Sequence, residues 1–143
     1  MVTLIDGLVG GFIATIVMTI LMMVLGDDTP PPTALFWSKF VGDGEPSDFM
    51  MQGMVLHLLY GVMAGGAFAV IASFLDMINV AALETAILWG LVYGVALFVG
   101  AAVFWMKLIL GIEPERKMVG MFLFFHLIYG AILGAWIGVG VFG

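Results

Sequence analysis

An all-α fold, an integral membrane four-helix bundle, is predicted by three features of this sequence. The composition is 64% hydrophobic and only 10% charged. The charges fall so that four long uncharged stretches remain, 7–26, 49–75, 85–106 and 118–143. The only two histidines sit at matching points inside two of those stretches. A water-soluble domain of 143 residues could not hide so much apolar surface, because much of it must face solvent. A helix needs about 20 apolar residues to cross the hydrocarbon core, so each stretch reads as a transmembrane helix. The alternation expected of a transmembrane barrel strand is absent. With no cysteine, disulfides and Cys-ligated metals are excluded. A net charge of −6 argues against nucleic acid as a partner.

The first stretch lacks a basic leader and a small-residue cleavage site, so it reads as a span rather than a removable signal. Residues 27–49 form the one substantial loop. Asp27-Asp28-Thr29-Pro30-Pro31-Pro32 stops the helix, since proline removes donors and fixes φ. Thr33 to Val41, with Leu35, Phe36, Trp37 and Phe40, predicts a short interfacial helix with an aromatic anchor. Gly42-Asp43-Gly44-Glu45-Pro46 is a turn, and Ser47 or Asp48 is placed to cap the second span. The link of about 76–83 is short, which predicts antiparallel neighbours in the second and third spans. The link of about 107–116, with Gly111 and Pro114, is short as well.

All four basic residues, Lys39, Lys107, Arg116 and Lys117, lie in the first and third connections. The positive-inside rule then puts both termini outside (N-out, C-out) and those connections in the cytoplasm. The expected location is the cell (plasma) membrane.

A pentapeptide recurs. His57-Leu58-Leu59-Tyr60-Gly61 in the second span matches His126-Leu127-Ile128-Tyr129-Gly130 in the fourth. Gly7-Leu8-Val9-Gly10-Gly11 in the first matches Gly90-Leu91-Val92-Tyr93-Gly94 in the third. A Glu-Pro pair precedes each histidine, at Glu45-Pro46 and Glu113-Pro114. The pattern predicts a duplicated helical hairpin, residues 1–75 and 76–143, its copies related by an axis along the membrane normal. Each span also holds a small-xxx-small pair (Gly7/Gly11, Gly61/Gly65, Gly90/Gly94, Gly130/Gly134), which lets helix backbones approach closely.

An ionisable side chain within a span is a functional-site hypothesis by default. Helical spacing puts Gly53, His57, Tyr60, Gly61, Ala64 and Gly65 on one face. It does the same for His126, Tyr129, Gly130, Leu133, Gly134 and Ile137. The plainest reading is a buried polar pair, the histidines hydrogen-bonded to Tyr60, Tyr129 or backbone carbonyls. A second reading makes His57 and His126 axial ligands of one b-type haem, with Gly61 and Gly130 leaving room for the porphyrin. Haem b is allowed by the residues but is not the favoured cofactor. A third is a proton or ion relay. Met50, Met54 and His57, with Met118 and Met121 before His126, give a slight hint of Cu(I), outweighed by the ordinary role of methionine as a core filler.

The first-span run Gly7-Leu8-Val9-Gly10-Gly11-Phe12-Ile13-Ala14-Thr15, the acidic Pro-rich loop and the two His-Leu-x-Tyr-Gly sites resemble small four-span membrane proteins of halophilic archaea with no assigned function. The resemblance implies no particular site residues. No nucleophile–base set, carboxylate pair or phosphate loop stands in a span. The expectation is therefore a non-enzymatic accessory or structural subunit of a larger membrane assembly, a respiratory complex among the options. Its partners would be the lipid bilayer and other membrane subunits or further copies of itself. The alternatives are a small transporter or channel of parallel two-helix repeats, and the bis-His haem subunit.

Overall fold

The computed structural model describes residues 2–26, 29–75, 82–113 and 115–142. Among these, every regular element is a helix: α1 (Leu4–Leu25), α2 (Pro32–Phe40), α3 (Met50–Leu75), α4 (Leu83–Val99) and α5 (Arg116–Val139). A 3₁₀ turn, Pro46–Phe49, leads into α3, and a π-helical stretch, Gly100–Leu110, continues α4. Four rods are long and apolar enough to cross a membrane: Leu4–Leu25, Pro46–Phe74, Leu83–Leu110 and Arg116–Val139. The chain is a multi-pass membrane protein. Asp27, Asp28, Pro114 and residues 76–81 of the second link lie outside the described residues.

The first helix begins where its chemistry allows. Thr3 is the N-cap, and Asp6 accepts from the Thr3 backbone N–H at 3.0 Å while its own N–H donates to Thr3 Oγ1 at 3.1 Å. This reciprocal pair satisfies donors that the first turn leaves open. Asp6 is nonetheless buried, because its other oxygen accepts from the Phe142 backbone N–H at 3.1 Å. Asp48 caps differently from the expectation. It stands inside the 3₁₀ turn and reaches back to accept from the Glu45 N–H at 3.1 Å.

Glycine sets the packing. A Cβ on Gly7 would strike the Gly65 carbonyl, and one on Gly65 would strike Gly7 O. Gly11 faces Gly61 and Gly65 in the same way. Ascending α1 therefore means descending α3, so the two are antiparallel. In the other pair, Gly90 and Gly130 each present a carbonyl where the partner's Cβ would be, and Gly94 meets His126 O. These helices are also antiparallel. Without side chains between them the backbones come close enough for Cα–H···O contacts.

The α1/α3 and α4/α5 pairs join mainly through α1 against α5. There Gly10 lies under the Trp136 indole and Leu133. The expected neighbours α3 and α4 do not pack backbone to backbone along their lengths. They meet through side chains: Tyr93 Oη donates to Ala64 O at 2.8 Å, and the Phe68 and Tyr93 rings sit 4.9 Å apart. The buried face of α5 holds His126, Tyr129, Gly130, Leu133, Gly134 and Ile137, plus Phe125.

The third span departs from expectation at its end. It runs past Lys107 to Leu110, in π geometry from Gly100 onward. The stretch stops at Gly111, whose φ of 72° is the left-handed conformation that glycine adopts without strain. Its last carbonyls are met from outside the helix. Lys39 Nζ, on α2, donates to Ile109 O at 3.1 Å and to Leu110 O at 3.0 Å. A cation at a helix C-terminus also suits the dipole.

Candidate functional site

The gap left between α3 and the third span is a cavity of about 190 Å³. His57 and His126 both line it. Tyr60, Gly61 and Tyr129 line it as well, so most of the residues singled out in the pentapeptides converge on one space. Gly130 does not line it; its missing Cβ lies against Gly90 of α4.

The two histidines differ in their surroundings. His126 Nδ1 lies 2.7 Å from Phe122 O, one turn earlier on α5. A carbonyl only accepts, so Nδ1 carries the proton there, and in the neutral ring Nε2 keeps the lone pair. The ring is held between the Phe122 ring, at 4.5 Å between centroids, and the Phe98 ring, at 6.2 Å. His57 lacks that arrangement. Its Nε2 is buried and has no hydrogen-bond partner. The residue one turn before it is Gly53, which serves another purpose: Ala34 of α2 packs directly onto it.

Tyr93 and Tyr129 bond to backbone. Tyr129 Oη donates to Gly61 O at 2.6 Å, which stitches α5 to α3 at the floor of the cavity. Gly61 also takes Thr15 of α1 against its missing Cβ, and Thr15 Oγ1 donates to Gly11 O at 2.6 Å. A Cβ on Gly61 would meet Thr15 of α1, and one on Gly130 would meet Gly90 and Gly94 of α4. Pockets for drug-sized ligands run to roughly 300–1,000 Å³, and this cavity is smaller.

Other cavity residues come from elements whose placement the sequence did not reveal. Helix α2 supplies Pro32, Thr33 and Phe36, and the π stretch supplies Ala101, Trp105 and Met106. Phe36 and Trp105 meet edge to face with centroids 5.7 Å apart, closing one wall. Thr33 Oγ1 is a second buried polar atom without a partner. Met18 and Met106 are the cavity's methionines, whereas Met50, Met54, Met118 and Met121 are not among its lining. Among the described residues no group of three or more His, Asp or Glu side chains is placed to hold a metal ion.

The sequence matches a family described as a family of unknown function (DUF6789) over residues 1–140. No curated protein and no solved structure matches the chain.

Proposed function

We propose that this chain, which belongs to the DUF6789 family of unknown function, is a non-enzymatic accessory subunit of a larger membrane assembly, and that it holds a small molecule between His57 and His126. The observation that carries the reading is the buried, unpartnered His57 Nε2 in a cavity that His126 also lines. Leaving a buried polar atom unpaired costs about 1–3 kcal/mol, and a bound partner would remove that cost. The lining is otherwise almost wholly apolar, which suits a molecule held from the bilayer better than a hydrated path for transport.

The matching glycine contacts of α1/α3 and α4/α5 support a duplicated hairpin. The four basic residues support an N-out, C-out orientation, with the cavity in the cytoplasmic half of the plasma membrane. Exposed apolar side chains such as Met23, Val24, Phe74 and Leu88 offer faces for lipid or for partner subunits, a respiratory assembly being one setting. The acidic balance and the resemblance noted above support a halophile as the source.

Affinity purification in mild detergent followed by native mass spectrometry tests both halves. We expect co-purifying membrane subunits and a mass in excess of the 15.3 kDa chain. The excess should disappear in Ala101→Phe, which fills the cavity. A stable monomer of bare-chain mass would sink the proposal. A solute flux in proteoliposomes that vanishes in His57→Ala would replace it with transport.

A further inference from the structure

We infer that the cavity takes the ring of a lipid-soluble phenol or quinol, with a hydroxyl seated between His57 and His126. This rests on the ligand-holding reading above and names the chemistry of the ligand.

Size is the first constraint. A dry apolar cavity of about 150 Å³ accommodates a benzene ring. The present cavity, about 190 Å³, therefore has room for one substituted ring. A bare ion would leave most of that space empty.

The polar atoms are the second. The bond from His126 Nδ1 to Phe122 O makes its Nε2 an acceptor, so the ligand must donate there. His57 Nε2 needs a partner of the opposite sense to its own tautomer, and Thr33 Oγ1 needs one of either sense. A hydroxyl donates and accepts through one oxygen, so it can give its proton to His126 Nε2 and accept from His57 in its Nε2–H tautomer or from Thr33 Oγ1. A carboxylate cannot donate, and it would bring an uncompensated charge into an apolar space. An ether or a hydrocarbon satisfies none of the donor requirement.

The walls are the third. Phe36, Trp105, Phe122 and Tyr129 surround the space with aromatic faces and edges. Aromatic pairs gain about 0.5–1.5 kcal/mol beyond simple burial, which favours a ring over an alkyl chain. The site lies within the spans, so a ligand that partitions into the bilayer is the kind that would reach it.

The test uses the purified full-length chain in detergent, with a benzoquinol bearing a decyl tail as probe. Quenching of Trp105 fluorescence reports binding, with Trp105→Phe identifying the signal. The quinol should bind about tenfold more tightly than its dimethyl ether, the worth of one good hydrogen bond. His126→Leu should erase that preference, His126→Gln should restore part of it through an acceptor oxygen, and Ala101→Phe should exclude both probes. The quinol–ether comparison is made on the unaltered chain, so it stands even if a variant fails to fold. Equal binding of quinol and ether overturns the inference while leaving a ligand site in place. Binding of Cu(I) alone, with neither ring compound, also overturns it and makes the cavity an ion site. If no probe binds and native mass spectrometry shows the bare chain, the ligand-holding reading fails as well.

Discussion

The two helix pairs, α1/α3 and α4/α5, carry one motif and put it to different use. In both, glycines four apart bring antiparallel backbones into contact. In both, an imidazole stands one turn before such a glycine. Yet His126 has its Nδ1 proton on Phe122 O, and His57 has a buried nitrogen with nothing to bond. The residue one turn earlier differs as well. Phe122 packs its ring on His126 and steadies it over the local carbonyl. Gly53, at the same offset from His57, is the landing site of α2. In the first pair that position seats a helix that lines the cavity. Identical spacing therefore does not imply identical chemistry.

The shared part of the comparison is attacked first. Gly90→Leu in one pair and Gly65→Leu in the other drive a side chain into a facing backbone carbonyl. Overpacking alone costs about 1–3 kcal/mol, and a backbone obstacle cannot yield as a side chain does. Both variants should fall well below wild type in unfolding by denaturing detergent. A large loss in one pair only would show that the pairs are not held alike.

Gly53→Leu breaks the difference instead. It should dislodge α2 at a cost of about 1–3 kcal/mol, seen as faster proteolysis within residues 29–45 and a shifted Trp105 emission. Phe122→Leu, at the matching site, should leave proteolysis there unchanged.

The histidines should respond with opposite signs. In the unliganded protein, His57→Leu removes an unpaired polar atom and should raise stability by about 1 kcal/mol. His126→Leu gives up a made hydrogen bond and two ring contacts, and should lower it by about as much. Thermal unfolding of the two variants side by side reads the sign directly, and the same sign for both would contradict the hydrogen-bond assignment.

The smallest effects belong to single cross-links. Tyr129→Phe and Tyr93→Phe each lose one interhelical bond, and such bonds average about 0.6 kcal/mol in membranes. Lys39→Met loses an exposed contact and should cost no more than about 1 kcal/mol, detectable as greater solvent exposure of Trp105 rather than in global stability.

Much of the fold could be read from charge placement alone. Asp6, Asp48, Glu84 and Lys117 sit near the span ends, because burying a charge in hydrocarbon is expensive. The convergence of His57 and His126 was also legible, since helical spacing and a recurring pentapeptide point both to inward faces. The remaining walls were not. Thr33 reaches the cavity only because Ala34 docks on Gly53, a contact between residues 19 positions apart with no local signature. Trp105 and Met106 reach it because the third span widens into π geometry, and the apolar run 99–106 reads as an ordinary helix. Asp6 marked a boundary in the sequence, but its second oxygen found Phe142 at the far end of the chain, a pairing that no pattern announces.

The π stretch has one more consequence. Backbone amides in Gly100–Leu110 close i→i+5 rings, a geometry that is rare beyond a single turn, and the segment is tied at its end by an exposed lysine. Local opening follows such weakness. In deuterated buffer these amides should exchange before those of the glycine seams, with the rest of the bundle still protected. Such early exchange would mark the stretch as the looser wall of the chamber, beside a stiffer frame. On the ligand-holding proposal, a guest would then pass through that wall without the glycine seams opening.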